Sequence, residues 1–247
     1  MNLRIVLLSL ISALLLFALV VAASAQTRTP GVSGGNTFTW SYTVNWNSND
    51  PNATVPSELV SINETQWAKV SLTAVSGTNV TGTVTTHFRN GTEATNDGWV
   101  DVDSGDGNIT TLFISAGLVP GDSIYTVSPY NTWTINETVP RAYPSGARDT
   151  NHINTTATSS SFQGNLSETT NLYYDQITGA LVEFSKVESN QTGTYLTTWL
   201  EEMQITDSSV WTVPEFPTLT TTLIALIALT SVTVLIASQR QHKRPLR

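Results

Sequence analysis

The clearest pattern in the chain is an unbroken alternation of large apolar and small polar residues over Thr37–Asn47. Every second residue there is aromatic or β-branched, and the intervening ones are Thr, Ser or Asn. Because successive side chains of a strand point to opposite faces, the pattern predicts a strand with one buried face.

Segments of similar character are separated by turn-forming pairs such as Ser76-Gly77 and Asn90-Gly91. No segment between residues 26 and 217 sustains an apolar period of 3.6 residues, so any helix there is short. The fold class predicted is all-β, as an antiparallel curved sheet or a sandwich. The further strands are predicted at Ala68–Val75, Val80–Phe88, Trp99–Val102, Ile109–Ile114, Ser123–Val127, Trp133–Ile135, Thr170–Tyr174, Ala180–Val187 and Thr194–Ile205.

The sequence of this region also predicts an internal duplication. Gly31–Phe38 matches Gly117–Ile124, which predicts repeat units over residues 31–116 and 117–205. Each unit would begin with glycine before a strand and continue as a meander. The alternative is that glycine before a strand recurs by chance in β proteins.

Both ends of the chain carry membrane signals. Residues 1–25 contain Arg4, an uncharged run over Ile5–Val21 and then Ala23-Ser24-Ala25, which predicts a signal peptide cleaved before Gln26. A retained N-terminal anchor is the alternative. Residues 218–238 carry no charge over 21 positions, which is long enough for a transmembrane helix.

Basic residues follow that uncharged segment at once and predict a cytoplasmic tail over residues 239–247. They are Arg240, Lys243, Arg244 and Arg247. The chain is therefore predicted to have a β-rich extracellular domain over residues 26–206 and a Pro-containing stem over 207–217, followed by one transmembrane span.

Charge and cysteine content narrow the range of partners. The region between residues 26 and 217 has 19 acidic residues against six basic ones, a net charge of −13. A protein that binds nucleic acid or an anionic lipid surface needs clustered Lys and Arg. The sequence therefore predicts that neither is a partner. The chain has no Cys, which removes disulfides, thiol nucleophiles and thiolate metal sites.

Asn-x-Ser/Thr acceptor sequences occur nine times in the predicted extracellular domain. The protein is therefore predicted to be a glycoprotein and a substrate of the glycosylation machinery. Several of the nine, not all, are expected to carry glycan. The acceptors are Asn52, Asn63, Asn79, Asn90, Asn108, Asn136, Asn154, Asn165 and Asn190.

Patterns typical of catalytic sites are present but incomplete. Gly31-Val32-Ser33-Gly34-Gly35 has the spacing of a nucleophile elbow, yet a strand rather than a helix is predicted after Ser33. His87 and His152 are isolated and form no metal-binding pair. Glu201 and Glu202 are adjacent in a predicted strand and so face opposite sides. No enzyme activity and no cofactor are expected.

Asp101, Asp103 and Asp106 form a weak calcium candidate. The fifth and sixth positions of this stretch, Gly105 and Asp106, do not match the helix-loop-helix calcium motif. A solvated hairpin turn is the favoured interpretation.

The predicted domain contains seven Trp residues, and their side chains could have either of two roles. Packing in the core is the default, and stacking against a sugar or an apolar ligand in a concave sheet is the alternative. The residues are Trp40, Trp46, Trp67, Trp99, Trp133, Trp199 and Trp211.

Val213–Pro217, with Pro214, Glu215 and Phe216 at its centre, lies just before the uncharged span and the basic cluster. This order resembles the C-terminal sorting signals of archaeal surface proteins of the Pro-Glu-Phe type. The resemblance covers residues 213–247. It implies an archaeal envelope protein and an archaeosortase that replaces the helix with a lipid, although the helix is retained in the simpler interpretation.

Two further motifs carry a second resemblance. Gly121-Asp122 before a strand and the Tyr-Asp-x-x-Thr-Gly-x-Leu-Val-Glu hairpin at Tyr174–Glu183 are similar to those of uncharacterised archaeal secreted proteins. The hairpin also resembles the curved half-barrel of bacterial periplasmic lipoprotein carriers. The predicted function is a membrane-anchored surface protein with a structural or binding role. The alternative is a carrier or receptor that holds a lipidic or other apolar ligand in a curved sheet.

Overall fold

The computed structural model describes residues 27–144, 146–161 and 164–211. The predicted signal peptide, the sorting motif at Pro214–Phe216, the span at 218–238 and the basic tail lie outside these residues. Among the residues described, no helix is both long enough and apolar enough to cross a membrane.

Nine antiparallel strands form one open sheet in the order β4-β3-β2-β1-β9-β8-β7-β6-β5. The only α-helix in the described part of the chain, α1 (Ser57–Glu64), lies between β1 and β2. The strands are β1 (Thr37–Ser48), β2 (Thr65–Ser76), β3 (Asn79–Phe88), β4 (Glu93–Asp101), β5 (Glu137–Tyr143), β6 (Gly146–Ser161), β7 (Gly164–Asp175), β8 (Leu181–Thr192) and β9 (Tyr195–Ser208).

The all-β prediction is confirmed, and so is the prediction that any helix is short. The sandwich alternative is wrong for the described residues, because their strands pair in a single sheet. The proposed duplication of residues 31–116 and 117–205 stays a prediction.

Residues 102–136, here named the covering segment, account for the largest error in the predicted strands. Strands were predicted at Ile109–Ile114, Ser123–Val127 and Trp133–Ile135, but these segments form only the isolated bridges Phe113↔Ala180 and Ser123↔Thr134. Their apolar side chains pack onto the sheet instead of extending it. The strands β5 and β6 were missed because their sequences are rich in Thr, Ser, Asn and charged residues.

The register places the apolar residues of β1 on one side of the sheet, here named the inner face. Tyr42 lies opposite Met203 of β9, Met203 lies opposite Phe184 of β8, and Phe184 lies opposite Leu172 of β7. The inner face therefore carries a continuous apolar row across four strands. The other side of the sheet is named the outer face.

The covering segment packs on the inner face and completes the core. Phe113 contacts the ring of Phe38 edge-on, with centroids 5.3 Å apart, and Trp40 donates a hydrogen bond from Nε1 to the carbonyl oxygen of Leu181 at 2.8 Å. Trp40, Phe38 and Phe113 are all buried. The sheet and its cover thus share one hydrophobic core.

The two ends of the described region emerge on the same side of the molecule. The backbone N–H of Ala116 donates to the carbonyl oxygen of Thr29, and Trp211 packs against Phe38 at the start of β1. This side, which includes the β7–β8 turn, is named the closed end. The opposite side, with the β8–β9 hairpin and α1, is named the open end. The sheet and core extend past residue 206 into the segment predicted as a stem.

Candidate functional site

A pocket lies on the inner face where the apolar row is only partly covered. Tyr42, Leu172, Phe184 and Met203 form its floor, and Leu181 joins them from the start of β8. The floor comes from β1, β9, β8 and β7, whose apolar residues meet because the strands are in register. The cavity measures about 240 Å³, roughly eight times the volume of a water molecule in the liquid.

The walls of the pocket come from elements outside the sheet. Ile62 contributes from α1, and Thr111 and Trp133 contribute from the covering segment. Trp133 is positioned by an edge-on contact with Tyr130, with ring centroids 5.4 Å apart. The surface of the pocket is mainly apolar, as in most sites for small organic ligands.

Thr111 is held in a backbone conformation that β-branched residues rarely adopt, with a φ of 75°. Its N–H donates to the hydroxyl oxygen of Tyr125 at 2.9 Å, and its carbonyl oxygen accepts from the hydroxyl of Tyr174 at 2.9 Å. Two buried tyrosines therefore maintain a strained residue at the wall of the pocket. Strain of this kind is concentrated at functional sites.

A charged row adjoins the apolar floor. Glu201 lies opposite Val44 and Lys186 in the ladder, two residues from Met203, and also lines the pocket. Lys186 Nζ lies 2.7 Å from Glu188 Oε1 and 3.2 Å from Glu201 Oε1. Burial alone would lower the pKa of Lys186, but the two carboxylates outweigh it and hold that pKa above its ordinary value.

Tyr42 brings a phenol to the floor of the pocket. Burial raises the pKa of Tyr42, because a low-dielectric environment disfavours the phenolate. Its hydroxyl is therefore neutral at physiological pH and can donate or accept one hydrogen bond from a ligand.

The structure places most glycosylation candidates at the surface. Eight of the nine candidate asparagines are exposed, whereas Asn190 on β8 is half-buried. The exposed candidates are Asn52, Asn63, Asn79, Asn90, Asn108, Asn136, Asn154 and Asn165.

The side-chain amides of two of these exposed residues already donate hydrogen bonds. Asn108 donates from Nδ2 to the carbonyl oxygen of Asp97 at 2.9 Å, and Asn154 donates from Nδ2 to Oδ1 of Asn171 at 2.8 Å. Because glycan is attached at Nδ2, modification there would require these contacts to break.

The weak calcium candidate is organised as a turn. Oδ1 of Asp101 accepts from the backbone N–H groups of Asp103 and Ser104, and Oδ2 accepts from the hydroxyl of Thr78. Burial would raise the pKa of Asp101, but these hydrogen bonds outweigh it and lower that pKa. Across residues 27–144, 146–161 and 164–211, no three His, Cys, Asp or Glu side chains are close enough to hold a metal ion.

The other catalytic patterns are dispersed. Ser33 is exposed and is followed by β1 rather than by a helix. His87 stacks on Trp67, with centroids 4.8 Å apart, and contacts Glu93 at 3.0 Å. These three residues form a ladder on the outer face, near one edge of the sheet.

The opposite edge repeats the same arrangement. His152 stacks on Tyr173, with centroids 4.3 Å apart, and contacts Glu137 at 3.1 Å. Arg141 covers the Tyr173 ring and forms a salt bridge with Glu183 at 2.7 Å. The alternation of residues places these side chains on the outer face, but only the register shows that they are neighbours.

The tryptophans are divided between the two interpretations. Trp40 and Trp211 are buried in the core, and Trp99 is 44% exposed. Trp46 and Trp199 lie opposite each other in the ladder, on the inner face beyond the charged row. Trp133 lines the pocket and Trp67 stacks on His87.

The fold and pocket define this chain as an all-β protein with one open antiparallel sheet and an apolar pocket on the inner face. No protein-family model matches it, and a search of curated proteins finds no match.

Proposed function

We propose that this protein is a surface-tethered carrier or receptor that binds a small apolar ligand in the inner-face pocket. The observation that supports it is a cavity of about 240 Å³ with an apolar floor built from four strands. A partly covered, mainly apolar concavity of this kind is the usual form of a site for a small organic ligand.

The organisation of the covering elements also supports a binding role. The floor belongs to the rigid sheet, whereas the walls belong to α1 and to the covering segment. A site on a rigid scaffold with walls from connecting segments is typical of binding proteins. Nine twisted strands rarely stay flat, so we take the sheet to curve around its cover in a half-barrel-like manner.

Location is part of the proposal and is supported by the sequence. The signal peptide at 1–25, the uncharged segment at 218–238 and the basic tail at 239–247 are consistent with an exported, glycosylated protein of an archaeal envelope. The Pro-Glu-Phe motif at Pro214–Phe216 is consistent with processing by an archaeosortase.

The test is photolabelling of the full chain in nanodiscs of zwitterionic lipid with an octyl diazirine. Label is quantified in peptides from residues 27–211, so that label from the bilayer does not contribute. We expect saturable labelling of the wild type, because a defined pocket has a limited capacity. Labelling that rises linearly with probe concentration would contradict the proposal.

A matched pair of variants on α1 assigns the labelling to the pocket. Ile62→Trp places a larger side chain in the wall and should weaken labelling about tenfold, equivalent to roughly 1.4 kcal/mol. Val60→Trp is the control, because Val60 is on the same helix and is 46% exposed. Equal labelling of both variants would show that the probe binds elsewhere.

A structural role in the envelope is the second candidate. The observation that favours it is the exposure of eight glycosylation candidates, since a densely glycosylated surface layer needs accessible acceptors. This role does not exclude ligand binding.

A further inference from the structure

We propose that the ligand of the inner-face pocket is an apolar molecule with a cationic end group, such as an alkylammonium ion. This inference rests on the proposed function and adds the class of ligand. It derives from the position of the charged row beside the apolar floor.

The two rows match the two parts of such a ligand. Tyr42, Met203, Phe184 and Leu172 form the apolar floor, and Glu201 lies two residues along β9 from Met203. Residues two apart on a strand lie on the same face, about 6.6 Å from each other. A ligand whose chain occupies the floor can therefore place its end group beside Glu201.

The charged row has an excess of negative charge. Lys186 is shared by Glu188 and Glu201, at 2.7 and 3.2 Å, so one ammonium faces two carboxylates. The side chains of Glu188 and Glu201 are only 11% and 14% exposed, so solvent screens this charge weakly.

Glu168 of β7 adds to this excess. It lies directly opposite Glu188 in the ladder, and like charges directly opposite each other across a strand pair are destabilising. A bound cation would relieve this repulsion. An anionic end group would instead meet Glu201, which lines the pocket, while Lys186 already has two carboxylate partners.

Aromatic residues on the far side of the charged row also favour a cation. Trp46 and Trp199 lie opposite each other on β1 and β9, in the row that follows Val44 and Glu201. The faces of indole rings attract cations, above all ammonium groups. Glu188 lies opposite Trp199 in this same row, so an end group beside Glu201 has both a carboxylate and indole rings in the next row.

The test compares octylammonium, octanol and octanoate as competitors of the octyl diazirine on the wild-type full chain in zwitterionic nanodiscs. The three share one chain and differ in the charge of the end group. We expect octylammonium to compete at a concentration at least about tenfold lower than octanoate, with octanol between them. Equal or stronger competition by octanoate overturns the inference and leaves the proposed function standing. If none of the three competes, the proposed function itself fails, and the inference with it.

Two glutamates, one in the pocket and one outside it, provide the variants. Glu201→Gln removes one charge of the row and should reduce the preference for octylammonium over octanoate, while octanol competes as before. Glu93→Gln is the control, because Glu93 lies on β4, contacts His87 on the outer face and does not line the pocket. An equal change in both variants, or in neither, would overturn the assignment of the end group to this row.

Discussion

At the scale of single residues, the hairpin at Tyr174–Glu183 has a structural explanation. Oδ2 of Asp175 accepts from the N–H and the hydroxyl of Thr178, at 2.9 and 2.7 Å. Gly179 has a φ of +70°, and a Cβ there would meet the carbonyl oxygen of Ile114. The motif therefore forms a turn and allows the covering segment to approach the sheet closely.

Replacement of Gly179 should be costly for this reason. Gly179→Ala adds a strained φ and a clash with backbone, so we expect the free energy of unfolding to fall by about 2–4 kcal/mol. Gly77→Ala is the control, because Gly77 has a φ of +60° but open space around it, and it should cost roughly 1 kcal/mol. Urea unfolding followed by tryptophan fluorescence measures both. Similar losses would show that the contact with Ile114 contributes nothing.

Asp101 should make stability depend on pH in the acid range. Its pKa in the folded chain is lowered from the ordinary value of 3.8, so its contribution is fully present above that value and is lost as pH falls through the lowered pKa. Asp101→Asn should therefore lose less stability than the wild type as pH falls below 3.8. Asp106→Asn, an exposed change in the same turn, is the control. If the stability of Asp101→Asn falls with pH as steeply as that of the wild type, this role of Asp101 is contradicted.

The residues of the site were only partly predictable from the sequence. The alternation over Thr37–Asn47 placed Tyr42 on a buried face, and the pairing of strands confirms it. The contact of Lys186 with Glu201 depends on the register of β8 with β9. Alternation assigns a residue to a face but does not identify its neighbour on the next strand.

At the scale of elements, the covering segment shows where pattern alone is insufficient. Ile109, Phe113 and Ile124 are buried in the core, as apolar residues of a strand would be, and short apolar runs therefore predicted strands. Gly105, Gly107, Gly117 and Gly121, all with positive φ, interrupt these runs. Such positions turn the chain too often for a continuous ladder to form.

The hydroxyl of Tyr125 should be central to the order of this segment. It donates to the carbonyl oxygen of Phe113 and accepts from the N–H of Thr111, both at 2.9 Å. Tyr125→Phe would remove the partner of the buried carbonyl of Phe113 and of the half-buried N–H of Thr111, at a cost of about 2–4 kcal/mol. Hydrogen exchange of residues 109–114 should become faster, which is the measurement. Tyr130→Phe, which keeps a half-buried ring in the same cluster, should leave that exchange unchanged. Equal acceleration in both variants would contradict the role of the Tyr125 hydroxyl.

At the scale of the whole molecule, the closed end holds both ends of the described region, and the pocket floor lies between the closed end and the middle of the sheet. If the segment at 218–238 spans the membrane, the chain connects to it from the closed end. The open end then points away from the membrane. It lies about 40 Å from the closed end, because β8 joins the two ends and is 12 residues long.

The orientation can be measured because the chain has no Cys. A dye at Ile177→Cys, in the β7–β8 turn at the closed end, should be quenched strongly by an acceptor in the bilayer of proteoliposomes. A dye at Tyr195→Cys, in the β8–β9 hairpin at the open end, should be quenched weakly. Both positions are exposed. Stronger quenching at residue 195, or equal quenching at both, would show that the sheet is not oriented in this way.

The most direct test of the central claim is to locate the photolabel at individual residues of the full chain. The octyl diazirine should react in a saturable manner with Tyr42, Phe184 and Met203 on the inner face. The competing site is an outer-face apolar patch around Val187 and Leu196, each 45% exposed. Fragment-ion mass spectrometry distinguishes the two. Saturable label on the pocket residues is the result predicted here, and saturable label confined to the outer-face patch or to residues 218–238 would contradict the account.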